Sequence, residues 1–119
     1  MKQVILTFVS LMLATGVALA HSDFLRSEPA ENATLKQPPN EIKIWFSEPI
    51  KTALSTIEVR DAAGKKVDLN NLHADAKAPA LVRLSLPPHL APGTYKVTWS
   101  AVAQDLHVGK GSFSFRVAP

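Results

Sequence analysis

The stretch Pro92-Gly93-Thr94-Tyr95-Lys96-Val97-Thr98-Trp99-Ser100 decides the fold. Tyr95, Val97 and Trp99 alternate with Lys96, Thr98 and Ser100. Side chains two apart share one face of a strand, so this run predicts a strand with one buried and one wetter face. Pro92-Gly93 ahead of it fits a type II turn, in which Pro fixes φ and Gly accepts a positive φ.

Working outward, the same period recurs. Phe113, Phe115 and Val117 alternate with Ser112, Ser114 and Arg116. Ile42, Ile44 and Phe46 alternate with Glu41, Lys43 and Trp45, and Ile57 and Val59 with Thr56, Glu58 and Arg60. Val82, Leu84 and Leu86 alternate with Arg83 and Ser85. Asp61-Ala62-Ala63-Gly64 fits a hairpin turn between Ile57–Arg60 and a weaker strand at Lys66–Leu69. Another weak strand falls near Phe24–Ser27. Helical periodicity is hard to find after residue 21. About seven short strands predict an all-β domain, a small Greek-key sandwich of immunoglobulin-like type, with a closed barrel as the alternative. The expected core is Ile42, Ile44, Phe46, Ile57, Val59, Val82, Leu84, Val97, Trp99, Phe113 and Phe115.

A chain of 119 residues holds one domain. With 46% apolar and 19% charged residues it is neither disordered nor collagen-like. The absence of Cys excludes disulfides, zinc–thiolate sites, iron–sulfur clusters and thiol nucleophiles. The net charge of +3 is modest, and Lys65-Lys66 is the one adjacent basic pair. No basic stripe interleaved with aromatics is present, which argues against a nucleic-acid partner.

Met1-Lys2, the apolar stretch Val4–Leu13 and Ala18-Leu19-Ala20 have the layout of a secretory signal peptide. Its apolar core is short for a membrane span of about 20 residues, and no basic stop-transfer cluster follows. Residues 1–20 are therefore expected to be a cleaved leader, and residues 21–119 the mature domain, without a membrane span. Cleavage exposes His21 and removes both Met residues, so the mature chain carries no sulfur.

An N-terminal His offers an α-amine and an imidazole from one residue, which can close a chelate ring on one metal ion. Asp105-Leu106-His107 supplies the other half. On an extended backbone, residues i and i+2 point to one side, setting a carboxylate beside an imidazole. Three nitrogens and one oxygen suit Cu(II) in tetragonal geometry, and zinc could use the same donors in a tetrahedral one. Affinity is expected to fall below about pH 6, where amine and imidazoles regain protons. Gly109 and Gly111 are expected to let the chain turn into the last strand beside this site. His73 and His89 read as surface loop residues. No convincing Ser-His-Asp spacing or phosphate-binding glycine loop is present.

Two other readings use the same residues. A histidine-brace copper oxidase would also carry an N-terminal His and a second His. A metal-free β-sandwich interaction module would use neither.

Taken in order, several segments resemble the CopC/YobA copper-resistance family. They are His21-x-x-x-Leu25, Ser27-Glu28-Pro29-Ala30, Pro39-x-x-Ile42, Phe46-Ser47-Glu48-Pro49 and Pro92-Gly93-Thr94-Tyr95-Lys96-Val97-x-Trp99, then Asp105-x-His107 and Gly111-x-Phe113-x-Phe115-x-Val117. The likeness covers nearly all of residues 21–119. It implies a periplasmic Greek-key β-sandwich that binds Cu(II) and is not an enzyme. It also implies that His21, Asp105 and His107 are ligands, joined in some members by the Glu that falls on Glu48. Members with a second, Cu(I) site use a Met-rich loop, which is absent here, so the resemblance is to a Cu(II)-only type. Gln104 stands where a Ser is often found. The family often works beside a CopD-type inner-membrane protein, which makes such a protein the implied partner alongside the copper ion.

Overall fold

The computed structural model describes residues 22–119; the expected leader and His21 lie outside the described residues. The chain forms β1 (Phe24–Glu28), β2 (Thr34–Leu35), β3 (Glu41–Phe46), a short 3-10 turn (Thr52–Leu54), β4 (Thr56–Arg60), β5 (His73–Ala74), β6 (Leu81–Ser85), β7 (Gly93–Val102) and β8 (Val108–Val117). Two four-stranded sheets, ordered β1-β3-β6-β5 and β2-β8-β7-β4, face each other. They do not close on one another, so the fold is a sandwich and not a barrel. All pairings are antiparallel except β2 with β8.

The period-two runs form the inner faces. Ile42, Ile44 and Phe46 are buried while Glu41, Lys43 and Trp45 stay partly exposed. Every residue expected in the core is buried except Trp99, which is partly buried against it. The Trp99 indole stacks on Phe24 with ring centroids 4.8 Å apart, and Phe113 lies beside both rings. Ile50, Leu90, Tyr95 and Ala101 join the core as well. Tyr95 stacks on Phe115 at 5.4 Å and donates its hydroxyl to the Ala91 carbonyl at 2.5 Å. That bond ties the entry of β7 to the core, as a tyrosine corner does, and burial pushes the phenol's pKa upward.

Three local expectations are corrected. Lys66–Leu69 is not a strand; beyond one bridge between Arg60 and Lys66, a side chain takes over the pairing. The Asp68 carboxylate, fully shielded from solvent, accepts the Val59 N–H at 2.9 Å, and Val67 N–H donates to the Val59 carbonyl. The turn before β7 centres on Pro88-His89, with His89 at φ 62°; Gly93 is the first residue of β7, at φ 150°. Gly109 and Gly111 lie within β8 and not in a turn.

The outer face of the β1-β3-β6-β5 sheet carries a ladder of charges. Arg83 bridges Asp75 at 2.8 Å and Glu41 at 2.7 Å, and Lys43 lies between Glu41 and Glu28. The Arg83 hydrogen bond, then the Lys77 N–H, hold the Asp75 carboxyl below its ordinary pKa. A depressed carboxyl pKa stabilises the fold above the unfolded-state value, and that contribution disappears as pH falls through the folded-state value. Asp75→Asn should therefore lower stability at neutral pH, and the gap to wild type should close in acid. Urea unfolding at neutral and strongly acidic pH checks this; a gap independent of pH would contradict it.

Candidate metal centre

The longest hairpin, β7–β8, ends in the turn Ala103–His107. Ala103 N–H donates to the His107 carbonyl and Leu106 N–H to the Ala103 carbonyl, each at 2.9 Å. Leu106 sits in the left-handed region at φ 70°, a conformation uncommon for a bulky residue. Asp105 and His107 thus lie on a turn and not on an extended strand, as their spacing had suggested. The turn still sets them side by side. Asp105 Oδ1 accepts the His107 N–H at 3.1 Å, and Oδ2 lies 2.8 Å from His107 Nδ1.

That contact has a chemical consequence. An ionised carboxylate can only accept, so this contact favours the tautomer with the proton on Nδ1, in which Nε2 is the nitrogen able to bind a metal. Such a carboxylate–imidazole pair is the arrangement that fixes the tautomer of a metal-binding His. The imidazole side chain is 56% exposed and the carboxylate 29%, so an ion can reach both. Each carboxylate oxygen has more than one lone pair, so Asp105 can orient His107 and still face a cation.

The N-terminal arm comes to the same place. Ser22, only 8% exposed, donates its hydroxyl to the Pro49 carbonyl at 3.3 Å. Gln104, the residue before Asp105, donates its amide to that same oxygen at 3.4 Å. Ile50 bridges Ala103, and Lys51 N–H donates to the Val102 carbonyl. The segment after β3 is thereby stitched to the hairpin tip. A Cβ on Gly109 would lie 3.8 Å from the Ser22 carbonyl, so the arm also runs beside the start of β8. In sequence, His21 directly precedes Ser22.

Glu48 is exposed in the bend between Ser47 and Pro49. Among the described residues no group of three or more His, Asp or Glu side chains converges as a metal site; Asp105 and His107 form a pair. His73 and His89 are exposed and belong to neither the pair nor the arm. His89 lies in a turn as expected, but His73 opens the edge strand β5, paired with Arg83, and is not a loop residue. A groove of about 550 Å³ lined by Pro29, Leu35 and Pro39 does not include the pair; a single ion needs converging donors and not a cavity of that size. Sequence reasoning missed Ser22, Ser47 and the Pro49 carbonyl. Their signal was the Phe46-Ser47-Glu48-Pro49 motif, in which the Glu drew attention because only it could be a ligand.

The pattern described as the CopC domain matches residues 24–118. The chain belongs to the CopC family. It is 33% identical to copper resistance protein C of Xanthomonas campestris pv. juglandis, over 92% of this chain and 89% of that protein. It is 28% identical to protein YobA of Escherichia coli K12, over 94% and 90% of the two chains. Copper transport protein CutJ of Bacillus subtilis is 26% identical over 95% of this chain, which spans 21% of CutJ's length. Among solved structures, CopC from Methylosinus trichosporium OB3b superposes with a TM-score of 0.76 and 28% identity, covering 83% of this chain and 95% of that one. PcoC of Escherichia coli, described as a methionine-rich copper resistance protein, gives 0.72 and 25%, covering 82% and 99%. Membership of the CopC family assigns this chain to copper handling and not to catalysis. Among the described residues no helix is long and apolar enough to cross a membrane.

Proposed function

We propose that the protein, trimmed of residues 1–20, binds Cu(II) in the periplasm and sequesters it or hands it on. The α-amine and imidazole of His21, the imidazole of His107 and the carboxylate of Asp105 hold the ion. Glu48 contributes negative charge at the rim. A CopD-type inner-membrane protein is the partner. The observation that carries this reading is the shared Pro49 carbonyl: Ser22 and Gln104 are each one residue from a proposed ligand, and both bond to that one oxygen.

The donor chemistry favours Cu(II). Nitrogen and oxygen donors suit it, and Cu(I) prefers thiolate and thioether sulfur. PcoC is described as methionine-rich; here the two Met residues, Met1 and Met12, both lie in the segment proposed to be removed. The Asp105–His107 contact engages Nδ1, which leaves Nε2 as the ring nitrogen we assign to the ion.

Competition titration against a chromophoric chelator tests the ligand set, on protein beginning at His21. His107→Ala should weaken Cu(II) binding by more than tenfold. Asp105→Asn should cost about 10–100-fold, the usual effect of disturbing a carboxylate that orients a metal-binding imidazole. Unchanged affinity in His107→Ala would refute the assignment.

A further inference from the structure

We infer that the segment Phe46–Pro49 acts, with Phe24, as a clasp that positions the N-terminal arm before any ion arrives, and that Ser47 is its positioning residue. The inference rests on the Cu(II) reading above, and concerns why a chain terminus is a usable ligand at all.

Chain ends ordinarily fray, because few contacts offset the entropy of ordering them. Here the two residues after His21 are both held. Asp23 N–H donates to Ser47 Oγ at 2.8 Å, and Ser47 N–H donates to the Asp23 carbonyl at 2.8 Å. One residue thus answers both backbone groups of Asp23. The β1–β3 register explains why a side chain is needed. Arg26 faces Trp45 and Phe24 faces Phe46, so the ladder shifts at Leu25, which bulges out and is 62% exposed. Beyond that irregularity β3 ends at Phe46. The Ser47 hydroxyl supplies the acceptor for a rung past the strand's end.

Ser22 is the next point of attachment, through its hydroxyl on the Pro49 carbonyl. Phe24 is the apolar anchor, stacked on Trp99 at 4.8 Å with an interplanar angle of 15°. Three consecutive residues are therefore fixed by three kinds of contact, on a segment itself bonded to the hairpin tip that carries Asp105 and His107. A donor set held in place binds more tightly than one that must be ordered during binding. The role of the Phe46-Ser47-Glu48-Pro49 motif follows: its Ser and Pro position the terminus, whatever its Glu does.

The test uses protein processed to begin at His21, with Ser47→Ala, Ser47→Thr and Phe24→Ala variants. Without copper, Ser47→Ala should speed amide exchange at Asp23 about tenfold and leave the melting temperature close to wild type, since only a local opening is affected. Its Cu(II) affinity should fall about three- to tenfold, the scale of one lost hydrogen bond. Ser47→Thr keeps the hydroxyl and should restore both readouts. Phe24→Ala should move both in the same direction and further. Faster exchange with unchanged Cu(II) affinity overturns the clasp, as does unchanged exchange. A residue added ahead of His21 separates the two claims. If that extension weakens Cu(II) binding while Ser47→Ala does not, the clasp fails and the copper reading stands. If the extension has no effect, the copper reading fails and takes the clasp with it.

Discussion

A single residue added ahead of His21 is expected to weaken Cu(II) binding by at least about a hundredfold. Both imidazoles remain in such a protein. What changes is the α-amine, which becomes an amide nitrogen that donates a hydrogen bond and no longer offers a free lone pair. The amine and the ring belong to one residue, so once one donor is bound the other meets the ion at high effective concentration. That intramolecular advantage is on the order of 10²–10⁴ for well-matched linkages. A hundredfold loss corresponds to about 2.7 kcal/mol. The extension also leaves the arm contacts from Ser22 to Phe24 in place, so stability without copper should be unaffected. Equal affinities for the two termini would mean that the chain end is not a ligand.

The second large effect concerns the fold beneath the arm. Gly111 sits in β8 opposite Trp99 of β7. A Cβ built on Gly111 would stand 2.6 Å from Trp99 Cη2 and 2.8 Å from Cε2, inside the van der Waals envelope of the indole. The ring has little freedom to retreat, because Phe24 stacks on it and Phe113 lies beside it. Gly111→Ala should therefore cost about 1–3 kcal/mol through overpacking, or about 4–8 °C in Tm per kcal/mol for a domain of this size. It should also displace Phe24 and, through it, the arm, so Cu(II) affinity should drop with stability. Trp99→Leu in the Gly111→Ala background removes the clash and should recover part of the lost stability. A Gly111→Ala protein with wild-type Tm and Trp99 fluorescence would contradict this picture.

Gly111 also illustrates what could be read from sequence and what could not. Its place beside a strand of alternating Phe residues was legible, but its purpose was taken to be turning the chain. The need for it is a tertiary contact: a ring from the neighbouring strand fills the space a side chain would occupy. The inner faces were legible because period-two burial is a property of the strand itself, and Ile42, Ile44, Val97 and Phe115 obey it. The edges were not. At Asp68 a carboxylate replaces backbone pairing on the outer side of β4, and no hydrophobic pattern encodes that. Two-residue strands such as β2 and β5 are likewise too short to generate a period.

At the candidate site, the closeness of Asp105 and His107 was legible and the geometry that produces it was not. Asp105 and His107 are the pair their spacing suggested, yet a turn with Leu106 at φ 70° brings them together. The long separation in sequence between the N-terminal arm and this turn is closed by Pro49, whose carbonyl accepts from both Ser22 and Gln104. A backbone oxygen leaves no mark in a sequence read by side chains.

The most direct measurement is the electron paramagnetic resonance spectrum of the protein loaded with one equivalent of Cu(II), prepared once with His21 as its first residue and once with a residue ahead of it. The expected result is an axial Cu(II) spectrum with nitrogen coupling for the first. The extended form and His107→Ala should each give a different spectrum, with fewer nitrogens. Identical spectra from all three would contradict a centre built from the chain terminus and the hairpin tip.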